Sequence, residues 1–275
     1  MFSNATAAGS ALHRAPRQLS RAQGVAVRVS FSSQLLKRGA LTSVPPPDRG
    51  VSFSGVMNPR TGASSYSAPG TTSPAVVFAG NRVFALAPHA GPNDARPWLS
   101  TILDKDLQDH TLDPTAIPSS LAAYALRPAV LLDMLSGALT GSIHQARAST
   151  IDGVSQTRYD VRFDLEQAFD NATRRHYSQR QIDDVDKVLE VFGIKTGTLD
   201  SGSVWLDGTG NPRRVLVHLR QSPVPDSLVI LTVDLRLTPT SAPATVTAPA
   251  DNSVVTVPSL FQLLAPFKDA RGSQP

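Results

Sequence analysis

Residues 151–165 read IDGVSQTRYDVRFDL, and they carry the clearest indication of the fold class. Asp152-Gly153 is a dipeptide that suits a two-residue turn with positive φ between antiparallel strands. After this turn, every second residue is apolar, namely Tyr159, Val161, Phe163 and Leu165. The residues between them are charged, so one face of the strand is buried and the other is solvated. Such alternation is typical of an antiparallel sheet rather than of a buried parallel one.

Similar patterns recur along the chain. Val25, Val27, Val29 and Phe31 share one face of a predicted strand, and a further strand is predicted at 228–237. Two more hairpins are predicted to join 75–79 to 82–86 across Gly80-Asn81, and 203–206 to 214–219. We count roughly nine strands, which pair mostly with their sequence neighbours.

The predicted helices are fewer than the strands. A short polar helix is predicted at 8–23. A second helix is predicted at 128–137, because Pro128 is a residue type expected at the start of a helix and Gly137 one expected at its end. Ser178 and Gln181 form a capping-box pattern at the start of a helix over 179–192, and a short closing helix is expected around 260–264. Because these helices do not alternate with single strands, the prediction is an α+β fold with one large antiparallel sheet in a single domain.

Composition excludes several classes of site. The chain has 275 residues, 41% of them hydrophobic, and no cysteine, so disulfides, thiolate metal sites and cysteine nucleophiles are excluded. The net charge is +4, but the first fifty residues carry seven basic side chains and one acidic, and the remainder nineteen basic against twenty-one acidic. The body is therefore near neutral, and we expect no nucleic-acid partner.

The sequence contains neither a spanning segment nor a recognisable secretory signal. The longest uncharged stretches, 61–81 and 252–267, are interrupted by proline and small polar residues. Neither is the run of about 20 apolar residues that a membrane-spanning helix needs. Residues 1–12 lack the basic start and continuous apolar core of a signal peptide.

Motifs for catalysis are missing as well. The six histidines stand singly, without the HExxH or HxH spacing that places two imidazoles on one metal. The glycine-containing stretch 207–210 follows one strand and precedes another, which indicates a hairpin turn rather than a dinucleotide loop. Asp183-Asp184 lies at the start of a predicted helix, where carboxylates favour the helix dipole. We therefore predict a protein that is not an enzyme and has no metal site and no cofactor.

The order of the motifs along the chain is more informative about the protein family than any single motif. They are NRVF (81–84), PWL (97–99), LLDMLSG (131–137), DGVSQTRYDV (152–161), VWLDG (204–208), PRRV (212–215) and ATVTAP (244–249). This succession, over about residues 10–265, resembles the LolA-like lipoprotein carriers of actinobacteria, of the LprG/LppX type. Each motif is a turn or strand signature, so their order over the whole length carries the resemblance.

The resemblance implies a fold, an activity and a location. The fold would be a half-open antiparallel barrel, a large curled sheet packed around a few helices, in one LolA-like domain over 25–268. A basic N-terminal segment (1–24) with a short helix would precede it, and a disordered tail (269–275) would follow. The protein would be a monomeric, non-catalytic carrier of lipids or glycolipids in the extracytoplasmic (periplasmic) cell envelope. Its basic N-terminal end would face the membrane surface.

The resemblance also implies an apolar cavity that holds acyl chains. The inward strand faces and one helix face would line it, through Val27, Val29, Phe53, Val77, Phe163, Leu131, Leu132 and Leu135. The alternative for these residues is an ordinary packed core, because protein interiors are close-packed by default. A filled core would favour a second function, that of an envelope protein-interaction or regulatory module with an exposed apolar patch on the sheet edge.

One feature of the family does not appear in the sequence. Members begin with a signal peptide and a cysteine that receives the lipid anchor, and neither occurs in these 275 residues. Three explanations stay open: the start codon lies further upstream, the chain begins after the anchor, or this member is not anchored. These three explanations differ in the localisation that they predict, whereas the predicted fold is the same.

Overall fold

The structure is a computed structural model that describes residues 3–37, 51–67, 70–87, 94–102, 127–137, 139–164, 199–221 and 227–257. The helices predicted at 179–192 and 260–264 lie outside these ranges. Within them, helix α1 is Ser3–Leu19, helix α2 is Pro128–Gly137, and a one-turn 3-10 helix covers Asp251–Ser253.

The strands of the described residues form one sheet. Their bounds are β1 Gly24–Lys37, β2 Val51–Met57, β3 Ser64–Ser67, β4 Val76–Ala79, β5 Arg82–Leu86, β6 Trp98–Ile102, β7 Leu139–Gln145, β8 Ser149–Ile151, β9 Val154–Asp164, β10 Leu199–Asp207, β11 Pro212–Gln221, β12 Ser227–Thr240 and β13 Val254–Thr256.

Neighbouring strands run antiparallel, with one exception. The order is β13-β6-β5-β4-β3-β2-β1-β12-β11-β10-β9-β7, with β8 paired to β9, and only the pair β13–β6 is parallel among the described strands. Strands β7 and β13 lie at opposite ends, so the sheet is open. The predicted α+β fold with a large, half-open antiparallel sheet is confirmed.

The predicted hairpins are also confirmed. Gly80 has φ 61° between β4 and β5, and Asp152 and Gly153 have φ 51° and 74° between β8 and β9. The chain before Asp152 is divided into two strands, because β7 pairs with β9 separately from β8 and with an irregular register. Strands β3, β6 and β13 were not predicted, since β3 is serine-rich, β6 shows no clear alternation and β13 has only three residues.

Helix α1 is amphipathic rather than simply polar. Ala8, Leu12, Ala15 and Leu19 recur at steps of three and four residues and are buried in the main core. The helix begins earlier and ends earlier than predicted, with Pro16 in its last turn. The domain boundary at residue 24 stays a prediction, but the helix before that boundary shares the core of the sheet.

Two glycines show where the sheet curls. Gly55 alternates along β2 with the buried Phe53 and Met57, so its α-carbon faces the core side of the sheet. A Cβ at Gly55 would collide with the carbonyl oxygen of Ser65 on β3. A Cβ at Gly202 would lie 2.8 Å from the Leu216 carbonyl oxygen on β11. At both positions the neighbouring strand leans over the core side, which requires a residue without a side chain.

We therefore expect Gly55→Ala to destabilise the protein by about 1–3 kcal/mol, because the added methyl group forces β2 and β3 apart. The free energy of unfolding in urea measures this. Ser54→Ala is the matched control, since Ser54 is the adjacent, exposed residue of the same strand. Equal stabilities of the two variants would contradict the close approach of β2 and β3.

Candidate functional site

The sheet has an apolar inner face, which we define as the side that carries the main core. Its buried side chains come from nine strands and are Val25, Val27, Val29, Phe53, Met57, Tyr66, Val76, Phe78, Val83, Ala85, Tyr159, Val161, Phe163, Val204, Leu206, Val215, Val217, Val233, Leu235 and Leu237. Strand pairing aligns them across the sheet: Val29 lies opposite Phe53 on one side and Leu235 on the other. The inner face is therefore a continuous apolar surface.

The structure brings seven of the eight predicted lining residues together. Those buried in the main core are Val27, Val29, Phe53, Leu132, Leu135 and Phe163, and the partly buried Leu131 packs against it. Helix α2 thus contributes its apolar side to the main core, where it packs chiefly against helix α1. Whether these residues line a cavity or fill a core stays a prediction.

Val77 is not part of this group. It lies in a second, smaller cluster with Phe84 and Val254, on the other side of the sheet. In β4 the three successive residues from Val76 to Phe78 are all buried, so both faces of this strand are covered. Alternation could not show which face Val77 occupies, because neither face of β4 is polar.

Residues 241–257 cover this second cluster. Val246 and Trp98 pack against it, and the Arg82 guanidinium lies 4.8 Å from the centre of the Phe84 ring. Asn58 Nδ2 donates a hydrogen bond of 3.1 Å to the carbonyl oxygen of Ala244. The end of the described chain therefore covers the β4–β6 part of the sheet from outside.

Helix α1 covers one part of the inner face. Besides its contacts with α2, it packs mainly against β7 and β11. The inner face also extends over β1 to β5, which lie on the far side of β12 from these contacts. The two described helices therefore account for only part of the apolar surface.

A few hydroxyl groups interrupt the apolar surface. Burial raises the pKa of Tyr66 far above its usual range, and a hydrogen bond with the Ser64 side chain offsets part of this effect. The Tyr66 ring packs edge-on against Phe78, with 6.4 Å between ring centres. Thr101 Oγ1 is buried without a hydrogen-bond partner. These are neutral groups, and the inner face offers no acid–base pair among the described residues.

The opposite, outer face carries charged side chains between β9 and β12. Arg214 binds the Asp234 carboxylate with two hydrogen bonds of 2.8 and 2.9 Å, and its guanidinium lies 4.8 Å from the centre of the Trp205 ring. Trp205 is only 7% exposed, because this guanidinium covers it. Sequence alternation located these strands but did not indicate that the outward-facing Trp205 is covered.

Asp160 is the centre of a second polar group on the outer face. Partial burial raises the pKa of Asp160. Hydrogen bonds from Ser203 at 2.6 Å and Arg158 at 2.9 Å lower it by more than burial raises it, so the pKa lies below its usual value. His144 lies 3.7 Å from the same carboxylate. Within the described ranges, no group of three His, Cys, Asp or Glu residues could hold a metal ion. Ser203 and His144 thus contact Asp160 from neighbouring strands and Arg158 from the same strand, an arrangement that stabilises a solvated sheet face.

None of the described helices is both long enough and apolar enough to cross a membrane. This finding concerns the ranges given above.

Comparison with known proteins gives matches among solved structures only. No protein-family model matches the chain, and no curated protein matches it. The crystal structure of LprF from Mycobacterium bovis is 13% identical, with 89% of this chain and 98% of that chain covered and a TM-score of 0.41. The Mycobacterium tuberculosis lipoprotein LppX is 12% identical, with 88% and 99% covered and a TM-score of 0.42. A DUF1329 family protein from Desulfovibrio piger is 8% identical, with 84% and 92% covered and a TM-score of 0.24.

The loop between β10 and β11 allows a prediction about pH. Asp207 accepts hydrogen bonds from Thr209 N and Oγ1, Asn211 N and Arg213 Nε, at 2.6 to 3.0 Å. Partial burial raises the pKa of Asp207, but these donors outweigh burial and lower it below the usual value. The bonds therefore stabilise the fold above the unfolded-state pKa of about 4, and this contribution is lost as the pH falls through the lower folded-state pKa.

We expect Asp207→Asn to lower the free energy of unfolding by about 2 kcal/mol at neutral pH, because the charged acceptor is lost. The difference from wild type should shrink as the pH falls below about 4. Urea unfolding over a pH series measures both effects. Asp152→Asn, at an exposed turn, is the control and should change stability by less than about 0.5 kcal/mol. A difference at Asp207 that does not vary with pH would contradict the role of its carboxylate.

Proposed function

We propose that this protein is a non-catalytic lipid carrier of the cell envelope, which holds the acyl chains of a lipid or glycolipid against the inner face of the sheet. The observation that carries the proposal is the breadth of that face. Nine strands turn buried apolar side chains to one side of the sheet. Binding sites for small apolar ligands are concave and mostly apolar, and a curled sheet of this kind supplies such a surface.

The chemistry of the inner face suits a hydrocarbon chain. Each methylene group that leaves water contributes about 0.8 kcal/mol, so ten buried methylenes give roughly 8 kcal/mol before the costs of binding are subtracted. A net free energy of that size corresponds to a dissociation constant of about 1 μM, so more than ten methylenes must be buried once the costs of binding are subtracted. An acyl chain needs no polar partner along its length, and the neutral hydroxyls of Ser64 and Tyr66 already interact with each other.

The proposed contacts are the seven residues that the structure brings together. They are Val27, Val29, Phe53, Leu131, Leu132, Leu135 and Phe163. Val77 is left out because it lies in the second cluster. Gly55 lies opposite Val27, and Gly202 lies between Val161 and Val217, so the inner face has no side chain at two positions. At both positions the backbone of the neighbouring strand occupies the space of the missing side chain, so the glycines would contribute to the curl of the sheet around the ligand rather than to an empty gap.

The same proposal places the protein outside the cytoplasm as a monomer. The exposed side of α1 carries Arg14 and Arg17, and the basic N-terminal end would face the headgroups of a membrane. We keep the single domain over 25–268 as the carrier unit, with α1 as a contributor to its core.

Native mass spectrometry after incubation with an envelope lipid extract tests the proposal, and we expect adducts with the masses of acyl lipids.

Val29→Ala should raise the dissociation constant of a fluorescent fatty acid about tenfold, because two methyl groups that contact the ligand are lost. Fluorescence titration measures this change. A protein that stays free of lipid in both assays would contradict the carrier function.

Val77→Ala is the matched control for this variant. Val29 is 0% and Val77 2% exposed, and the same two methyl groups are removed, but the two residues lie in different clusters. Both variants should lose similar stability, and only Val29→Ala should lose affinity for the fatty acid. Equal losses of affinity in the two variants would indicate that the lower stability, and not a lost contact with the ligand, weakens binding.

A second candidate is the protein-interaction module. Val255 on the edge strand β13 and Ile102 at the end of β6 are both 39% exposed, which favours a partner at this end of the sheet. A pull-down that recovers a protein partner, together with a lipid-free mass spectrum, would favour the module over the carrier.

A further inference from the structure

Four arginines lie in register across five neighbouring strands of the outer face of the sheet. Arg158 on β9 lies opposite Trp205 on β10, which lies opposite Arg214 on β11. Arg214 lies opposite Arg236 on β12, and Arg236 lies opposite Arg28 on β1. We call Arg28, Arg158, Arg214 and Arg236 the arginine row. With about 4.8 Å between neighbouring strands, it is about 19 Å long.

The arginines of the row remain accessible. The exposed side-chain fractions are 47% for Arg158, 31% for Arg214 and 54% for Arg236, and Arg28 is also exposed. By contrast, the Trp205 ring beneath Arg214 is covered. The row therefore presents guanidinium groups, with their apolar stems and the indole ring below them.

The arginine row carries more positive charge than its neighbours neutralise. The Asp234 carboxylate forms ion pairs with both Arg214, at 2.8 Å, and Arg236, at 3.8 Å. The Asp160 carboxylate forms an ion pair with Arg158. Among the described residues, no carboxylate forms an ion pair with Arg28. Like charges directly opposite each other on neighbouring strands destabilise a sheet, and here Arg214, Arg236 and Arg28 occupy three successive strands. The contacts with Asp234, Trp205 and Asp160 account for Arg214 and Arg158, but no ion pair within the described ranges accounts for Arg28.

We propose that the arginine row is a docking surface for an anionic lipid bilayer, whose phosphate groups supply the missing negative charge. Guanidinium groups bind phosphate oxygens through two parallel hydrogen bonds, which makes arginine suited to this ligand. A row across the face of a sheet can meet several headgroups of a membrane surface at once. This contact lies on the outer face, differs from one through the basic end of α1, which packs on the inner side, and does not depend on any ligand on the inner face.

The surface favours lipid phosphates over a nucleic acid. Proteins that bind single strands offer exposed aromatic rings on which bases stack. Trp205, the aromatic residue of this row, has its ring covered by Arg214. The described outer face also offers no helix at the row that could enter the groove of a duplex.

Sedimentation of the full chain with phosphatidylcholine vesicles, with and without phosphatidylglycerol, tests the proposal. We expect binding only to the anionic vesicles, with a steep decrease as salt is added. The double variant Arg28→Gln/Arg236→Gln should bind about thirtyfold more weakly, from the usual contribution of an arginine near an anionic surface. Its thermal stability should be unchanged or higher, because a like-charge contact is relieved.

Two further variants keep the test specific. Arg60→Gln/Arg147→Gln removes the same charge from exposed positions away from the row and should change binding by less than about threefold. Asp234→Asn removes the shared carboxylate and should strengthen binding to the anionic vesicles about fivefold without creating binding to phosphatidylcholine vesicles, which the exposed apolar surface of a misfolded protein would produce.

Several results would overturn the proposal. They are an equal loss in the Arg60/Arg147 variant, a loss confined to Arg14→Gln/Arg17→Gln on α1, and unchanged binding of the Arg28/Arg236 variant. Binding of a short DNA duplex more tightly than of the anionic vesicles, abolished by Arg28→Gln/Arg236→Gln, would assign the row to a nucleic acid instead.

Discussion

The pairing of β1 with β12 is the interaction on which the rest of the molecule depends. It joins residues 24–37 to residues 227–240 in one uninterrupted antiparallel register and links the β2–β6 half of the sheet to the β7–β11 half. Because side chains alternate with a period of two, a slip of one residue would exchange the faces of a strand. Such a slip in β1 would turn Arg28 into the core and expose Val27 and Val29. Burial of these valines therefore fixes the positions of the charged side chains on the other face.

The curl of the sheet follows from residues that lack side chains. Gly55 and Gly202 lie on the two sides of the β1–β12 pair, and at each the neighbouring strand approaches the core side too closely for a Cβ. A strand with a larger residue at either position would have to flatten or separate from its neighbour. The apolar alternation thus gives the sheet a buried side, and the glycines allow that side to become concave.

The sequence predicted the sheet class and most of the inner face, but it did not predict the ends of the sheet. Strands β1 and β9 alternate cleanly, so their buried residues could be assigned from spacing alone. Strand β4 is covered on both faces by the core and by residues 241–257, and so Val77 could not be assigned to a side. The short strands β3 and β13 form through pairing with neighbours rather than through their own composition. The arginine row could not be predicted from the sequence, because its members come from four different strands and only the strand register aligns them.

The two faces can be altered separately, although their residues alternate along the same strands. Arg28 is preceded by Val27 and followed by Val29, but its side chain lies on the opposite side of the sheet. Successive side chains of a strand point to opposite faces of the sheet, so the side chains of Arg28 and Val29 do not share a surface. A change at Val29 therefore alters the inner face and a change at Arg28 the outer face, even though they are one residue apart. A sheet with one buried and one solvated face can in this way hold an apolar ligand on one side and meet a charged surface with the other.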